Sequence, residues 1–241
     1  MKLIKLNAID STNDFIKKNK LLFSENLFCV YTFNQTLGKG QRGNIWNSQP
    51  FKNLCISFYF KPNDNNVKKL FFKLNMLVSI KILHFLKSYK IDDLKIKWPN
   101  DILSADKKIA GILIETSIQR SQIIDYIIGI GLNVNQLDFN ELSNASSIKK
   151  IMKKDYDLNL FSKNFIEIFS NLESELQSAT VDDIKAEYLK NLYGTDSILK
   201  YNYKGSDLKG KITDIDSSIS VKMIVNGKIN IYKAEDLKLI Y

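Results

Sequence analysis

Two long β-rich runs, residues 108–118 and 122–134, are separated by only three residues, and no other feature constrains the fold of this chain as strongly. So short a connection between such runs predicts an antiparallel hairpin. Glycines thin both arms, Gly111 in the first and Gly129 and Gly131 in the second. In a central strand, a position without a side chain leaves room for something to approach the backbone, often a ligand. A second hairpin is signalled far downstream, where Val225-Asn226-Gly227-Lys228 lies between β-rich flanks.

Other segments supply the partners. Residues 2–9 alternate polar and apolar side chains as a half-buried strand does. Asp10 or Ser11 then caps a short helix to about residue 22, with Ser11 and Asp14 at capping-box spacing. Residues 27–36 and 53–61 read as strands, joined through 37–50, a loop with three glycines. Across 66–89 the apolar positions Leu70, Leu74, Leu77, Val78, Ile82, Phe85, Leu86 and Tyr89 fall at helical spacing, predicting one long helix laid on a sheet. Residues 94–98 form a short strand stopped by Pro99. Residues 146–192 read as helices, with an apolar face at Leu160, Phe161, Phe165, Ile168, Leu172, Ile184, Tyr188 and Leu192. After Tyr193-Gly194 the texture changes to short strands. The expected fold is α+β: a mixed β-sheet packed with helices over 1–192 and a small β-barrel over 193–241.

Composition narrows the function. At 241 residues, 44% hydrophobic and 25% charged, the chain is neither disordered, collagenous nor coiled coil. Cys29 and Cys55 lie in apolar runs and are expected as buried free thiols in a reducing compartment. No window reaches the roughly 18 apolar residues of a membrane span, and 1–10 lacks a signal-peptide core, so a cytoplasmic protein away from membranes is expected. The formal charge of +9 invites a nucleic-acid-binding module. Against it, 193–241 holds eight lysines and six acids, no basic block is interleaved with aromatics, and only Arg42 and Arg120 are arginines.

Gly38-Lys39-Gly40-Gln41-Arg42-Gly43 matches G-x-G-x-x-G, yet Asn44-Ile45-Trp46-Asn47 follows where a dinucleotide fold needs a helix, and Asp64 sits in a polar loop. No kinase signature follows either. What remains is a glycine loop with two cations suited to an anion and an indole suited to stacking, or else a solvated surface loop. Lys97-Trp98-Pro99-Asn100-Asp101 presents an amide and a carboxylate at a strand exit. Lys108 opens an apolar strand. His84 is the one histidine, expected in packing or at the surface, and no Cys/His cluster offers a metal site.

In this order the motifs resemble a known family. Asp-Ser-Thr-Asn-Asp (10–14), Gln35-Thr-Leu-Gly-Lys-Gly-Gln-Arg-Gly-Asn-Ile-Trp46, Lys-Trp-Pro-Asn-Asp (97–101), Lys-Ile-Ala-Gly-Ile-Leu-Ile-Glu (108–115) and Gly-Ile-Gly-Leu-Asn-Val-Asn (129–135) look like the successive signatures of biotin–protein ligases. The resemblance spans residues 1 to about 135; beyond that it rests on layout, since the family ends in an SH3-like barrel. It implies a class II synthetase-like catalytic domain that activates biotin with ATP and Mg²⁺ to biotinyl-5′-AMP. The biotin then passes to a lysine of a biotin carboxyl carrier domain, as of acetyl-CoA carboxylase. By resemblance, Ser11, Thr12, Asn13 and Gln35 read the ureido ring, with Lys39, Gly40, Gln41, Lys108 and Gly111 also against biotin. Lys39, Arg42, Trp46, Asn100, Lys108 and Asn133 would hold ATP or the adenylate. Lys108 and Arg42 would act in catalysis, and Asp101 would orient the acceptor. The Mg²⁺ ligands are not implied. The 37–50 loop is expected to be disordered without ligand and to fold over the adenylate.

Two departures bear on this. The family loop commonly reads Gly-Arg-Gly-Arg, whereas here it is Gly38-Lys39-Gly40-Gln41, which bears on how tightly the intermediate is held. Relatives that double as repressors carry a DNA-binding segment ahead of the serine motif, where this chain has ten residues, so no operator binding is expected. A lipoate or octanoate ligase is the nearest alternative. Relatives occur as monomers and homodimers.

Overall fold

The structure, a computed structural model, describes residues 1–62, 67–120, 122–140 and 142–240. Asp64, the expected helix start at Asn66 and the expected turn residue Ser121 lie outside the described residues. The chain runs β1 (Lys2–Leu6), α1 (Thr12–Asn19), a 3-10 turn (Lys20–Leu22), β2 (Leu27–Thr32), β3 (Gly38–Lys39), β4 (Ile45–Trp46), β5 (Leu54–Phe60) and α2 (Val67–Ser88). It continues through β6 (Leu94–Lys97), β7 (Asp101–Ser104), β8 (Lys107–Gln119), β9 (Gln122–Leu132), α3 (Ile148–Met152), α4 (Leu158–Glu167), α5 (Leu172–Ser178) and α6 (Val181–Lys190). It ends in β10 (Leu199–Tyr203), β11 (Ser206–Ile215), β12 (Val221–Val225), β13 (Lys228–Tyr232) and β14 (Leu237–Leu239).

Seven strands form one mixed sheet in the order β1-β2-β5-β9-β8-β7-β6. The long hairpin is β8–β9, antiparallel and next to the centre, and every residue of β5 is buried. β5 reads as a continuous apolar run because both its faces are covered. On one face α1 packs with Ile16 among Phe28, Val30, Tyr59 and Ile127. The opposite face carries α2 and α4–α6, where Phe58, Phe85, Phe161, Phe165 and Phe169 meet in tilted and edge-on pairs. Leu160, expected on that apolar face, is exposed instead. His84 is a surface residue paired to Glu187 at 2.7 Å. Both cysteines are buried free thiols, and burial pushes each up to about 12.

β1 and β2 are the one parallel pair of this sheet, so their carboxyl ends leave at the same edge. A bridge between Ile9 and Gln35 continues that pairing beyond the strands. It brings the start of α1 beside Gln35, which the intervening 25 residues would not reveal. Ser11 caps α1, its hydroxyl accepting from the Asp14 amide at 3.3 Å. The expected box is only half built, because the Ser11 N–H donates to Asp10 at 2.7 Å and leaves the Asp14 carboxylate for other work.

The five remaining strands form an antiparallel sheet in the order β13-β12-β11-β10-β14, in keeping with the expected SH3-like barrel. Asn226 and Gly227 turn its β12–β13 hairpin with φ of 50° and 76°, the positive values an Asn-Gly turn supplies. A register shift in β11 between Ile212 and Asp214 bends the sheet. The buried apolar cluster runs unbroken from the main sheet into this one, through Leu192, Tyr201, Ile212, Val221 and Leu237. Two further ties join them: Tyr193 N–H donates to Ile96 O at 2.8 Å, and Trp98 Nε1–H donates to Ile219 O at 2.8 Å. Trp98→Phe removes the second bond and should cost about 1 kcal/mol in a urea titration, with an unchanged denaturant slope.

Candidate active site

A single cleft of about 360 Å³ lies where the carboxyl ends of β1 and β2, the segment 38–46, the β6–β7 turn and the C-terminal sheet converge. Ser11, Thr12, Asn13, Gln35, Lys39, Gly40, Gln41, Arg42, Trp46, Asn100, Asp101, Lys108 and Gly111 all line it. Asn133, expected against the nucleotide, does not. It is buried, and its amide donates to Ser146 O at 3.0 Å, fixing the segment that follows β9.

One end of the cleft is a polar recess. Gln35 Oε1 accepts from Thr12 N–H at 2.9 Å and lies 3.2 Å from the Thr12 hydroxyl, and Thr12 Oγ1 is 2.7 Å from Ser57 Oγ. Asn13 takes a hydrogen bond from Ser57 at Oδ1 and donates from Nδ2 to Glu115 at 2.7 Å. A methyl on Gly129 would sit 2.3 Å from Asn13 Oδ1, so the glycine is what admits this amide. Buried groups paired in this way hold fixed directions toward the recess.

The middle of the cleft is charged. Asp101 Oδ1 forms an ion pair with Lys108 Nζ at 2.7 Å, and its other oxygen is 3.8 Å from Lys97 Nζ. Burial drives Lys97 below the usual lysine range against the pull of Asp101. Asp101 opens strand β7, paired with Lys97 on one side and Gly111 on the other. The sequence had presented it merely at a strand exit; the strand that holds it was not anticipated. Asn100 pins the turn to β8, donating from Nδ2 to Ile112 O at 2.6 Å. The Trp98–Pro99 bond in this turn is cis.

Segment 37–50 is not a plain loop. β3 and β4 pair as a two-residue hairpin, with a 3-10 turn at Gln41–Gly43 at its tip. The hairpin carries Trp46 down onto the sheet, where its indole covers the glycines. A methyl on Gly131 would lie 2.2 Å from Trp46 Cε2, and one on Gly111 3.0 Å from Cζ3. The gaps at Gly111 and Gly131, read from the sequence as room for a ligand, therefore face an indole of the chain itself. Lys108 Nζ rests 5.4 Å from that ring centre. Arg42 stands exposed on the rim with φ of 59°, a left-handed conformation that costs a non-glycine residue about 1 kcal/mol. Lys39 pairs with Asp14 at 2.6 Å.

The far wall was missed by sequence reasoning. Tyr193, Tyr201, Leu237, Lys238 and Leu239 of the C-terminal unit line the cleft, and no motif marks them. Among the described residues no group of three or more His, Cys, Asp or Glu side chains could hold a metal ion. Asp101 is the one carboxylate among the residues lining the cleft, and Lys108 already occupies it, so the donor set does not fit a protein-held Mg²⁺. No helix of the described residues is long and apolar enough to cross a membrane.

The architecture is that of a solved biotin protein ligase from Aquifex aeolicus, a complex with biotin and ATP. The match has a TM-score of 0.81 at 22% identity and covers 99% of this chain and 98% of that one. The chain belongs to the biotin/lipoate A/B protein ligase family, whose model matches residues 6–133. It is similar to the bifunctional ligase/repressor BirA of Salmonella typhimurium, 30% identical over 129 residues, and to biotin–protein ligase 2 of Arabidopsis thaliana, 31% identical over 169 residues. These alignments cover 54% and 67% of this chain but only 39% and 50% of those relatives.

Proposed function

We propose that the chain is a biotin–protein ligase that activates biotin with ATP and delivers it to a lysine of a biotin carboxyl carrier domain. The observation that carries this reading is the joining, in one cleft, of a hydrogen-bonded polar recess to a lysine fixed by a carboxylate and an indole. In the first step a biotin carboxylate oxygen bonds to the α-phosphorus of ATP, and the bond to pyrophosphate breaks. In the second, the acceptor amine bonds to the biotinyl carbonyl carbon, AMP leaves, and the amine gives up a proton.

Both steps gather negative charge at one phosphate, so the protein's part is positioning and charge stabilisation. Lys108, held by Asp101, meets the carboxylate and α-phosphate. Arg42 adds a cation from the flap, residues 37–50, and Asp101 faces the incoming amine. Magnesium would enter as the counter-ion of the triphosphate. The four methylenes of the valeryl chain bring roughly 3 kcal/mol on burial, at about 0.8 each. A fatty acid would gain as much, so selectivity falls to Ser11, Thr12, Asn13 and Gln35, since a site built to hydrogen-bond a polar ring rejects analogues lacking it by about 10⁴–10⁵. The closed flap keeps water from the anhydride. Residues 1–192 serve as the catalytic unit, and 193–241 as an appended barrel that completes its wall.

The purified protein should release pyrophosphate only when given ATP and biotin together, and should then raise the mass of a carrier domain by one biotinyl group. Exchange driven by lipoate or octanoate but not by biotin would replace this reading with the other branch of the family.

A further inference from the structure

The Asp14 carboxylate is freed from its helix cap and meets the flap. Its Oδ2 is 2.6 Å from Lys39 Nζ, and Lys39 belongs to β3, the first strand of the flap hairpin. Its Oδ1 is 3.6 Å from Lys17, Lys17 is 2.7 Å from Glu115 on β8, and Glu115 in turn holds Asn13 of the recess. Lys39, Asp14, Lys17 and Glu115 thus alternate in sign in a line from the flap, over α1, to the central hairpin. Burial alone would raise the Asp14 carboxyl, yet Lys39 and Lys17 together hold it below the usual range, so it is charged at neutral pH. The Lys39 ammonium is spent on this pair, whereas that of Lys108 pairs with Asp101.

We infer that Asp14 is a positioning residue of the ligase, clasping Lys39 to hold the flap closed and so setting how long the adenylate is retained. The part concerning the adenylate rests on the function proposed above; the clasp itself does not. An ion pair with a half-exposed lysine changes an equilibrium by a modest factor, so the clasp tunes the flap rather than building it. Trp46, seated on its glycines, supplies the remaining hold.

The test is a double-mutant cycle of Asp14→Asn, Lys39→Met and both together, read in two ways. In the protein without substrates, tryptic cleavage after Arg42 should quicken about two- to fivefold in Asp14→Asn. The double variant should be cut no faster than the faster single one. Salt should speed cleavage of the wild type and leave Asp14→Asn unmoved, a response that loss of a merely structural residue would not produce. With biotin and ATP supplied, free adenylate should escape from Asp14→Asn faster by a similar factor while pyrophosphate exchange continues, and Asp14→Glu should restore much of the retention. Cleavage of Asp14→Asn at the wild-type rate, or additive effects in the double variant, overturns the clasp. Failure of the wild type to exchange pyrophosphate overturns the proposed function instead, and leaves the proteolysis result to decide the clasp.

Discussion

Lys108→Ala lowers biotin-dependent pyrophosphate exchange by about 10²–10³, the usual loss when one preorganised contact to developing charge is removed, about 2.7–4 kcal/mol of transition-state stabilisation. The size of the effect follows from how the ammonium is held. Asp101 grips it at 2.7 Å and the Trp46 ring lies against it, so it enters the reaction with little reorganisation to undergo. Removing it also leaves the partly buried Asp101 with Lys97 at 3.8 Å as its nearer remaining cation. Some loss of stability will therefore accompany the loss of rate. Lys108→Met separates the two, since its thioether keeps packing against the indole but carries no charge. Lys108→Met should lose as much rate as Lys108→Ala while melting closer to the wild type. An exchange rate within threefold of wild type in either variant would remove Lys108 from the chemistry.

Gly131→Ala is the second large effect, and it comes from a position that touches no substrate in the proposed mechanism. The added methyl would lie 2.2, 2.5 and 2.6 Å from three atoms of the Trp46 indole, distances that real contacts do not reach. The ring is rigid and the strand beneath it is fixed by β5 and β8, so the indole is the part that leaves. Lys108 then loses its aromatic support and the flap its seat. The expected signs are a red shift in tryptophan emission, faster tryptic cleavage after Arg42, a raised KM for biotin, and about 1–3 kcal/mol less stability. A control exists within the flap itself. A methyl on Gly43 would meet nothing within 4 Å, though its φ of 77° makes any side chain strained there. Gly43→Ala should therefore disturb the flap tip without displacing Trp46. Unchanged emission in Gly131→Ala would contradict the seating of the indole.

The Gly131 case shows where sequence reading stops. A missing Cβ reports that something comes close, and Gly111, Gly129 and Gly131 were correctly picked out for that reason. It does not report what comes close, and here the visitors are Trp46 and Asn13. The hairpins were legible because turn chemistry and β-rich runs are local signals. β7 was not, since four residues beginning with an aspartate after a Pro-Asn turn look like loop until β6 and β8 pair with them on either side. Asp14 read as a helix cap, and only the fold shows that Asp10 takes over that bond and releases the carboxylate to Lys39. Lys108, Asp101, Gln35 and the serine–threonine–asparagine run were found by motif and all reach the cleft. Asn133 belonged to a motif too; its Nδ2 donates to Ser146 O, and it is not among the residues that line the cleft. Tyr193, Tyr201 and Leu237–Leu239 had no local mark at all, because lining a wall asks for a place in the fold and for no particular sequence pattern.

That wall has a consequence for biogenesis. The cleft draws its polar recess from residues 11–13 and part of its enclosure from residues 237–239, so segments far apart in the chain make its two sides. During synthesis the emerging sheet can form its hairpins, yet the chamber stays open on one side until β14 has cleared the exit tunnel. A nascent chain that lacks β14 therefore has the recess without its far wall.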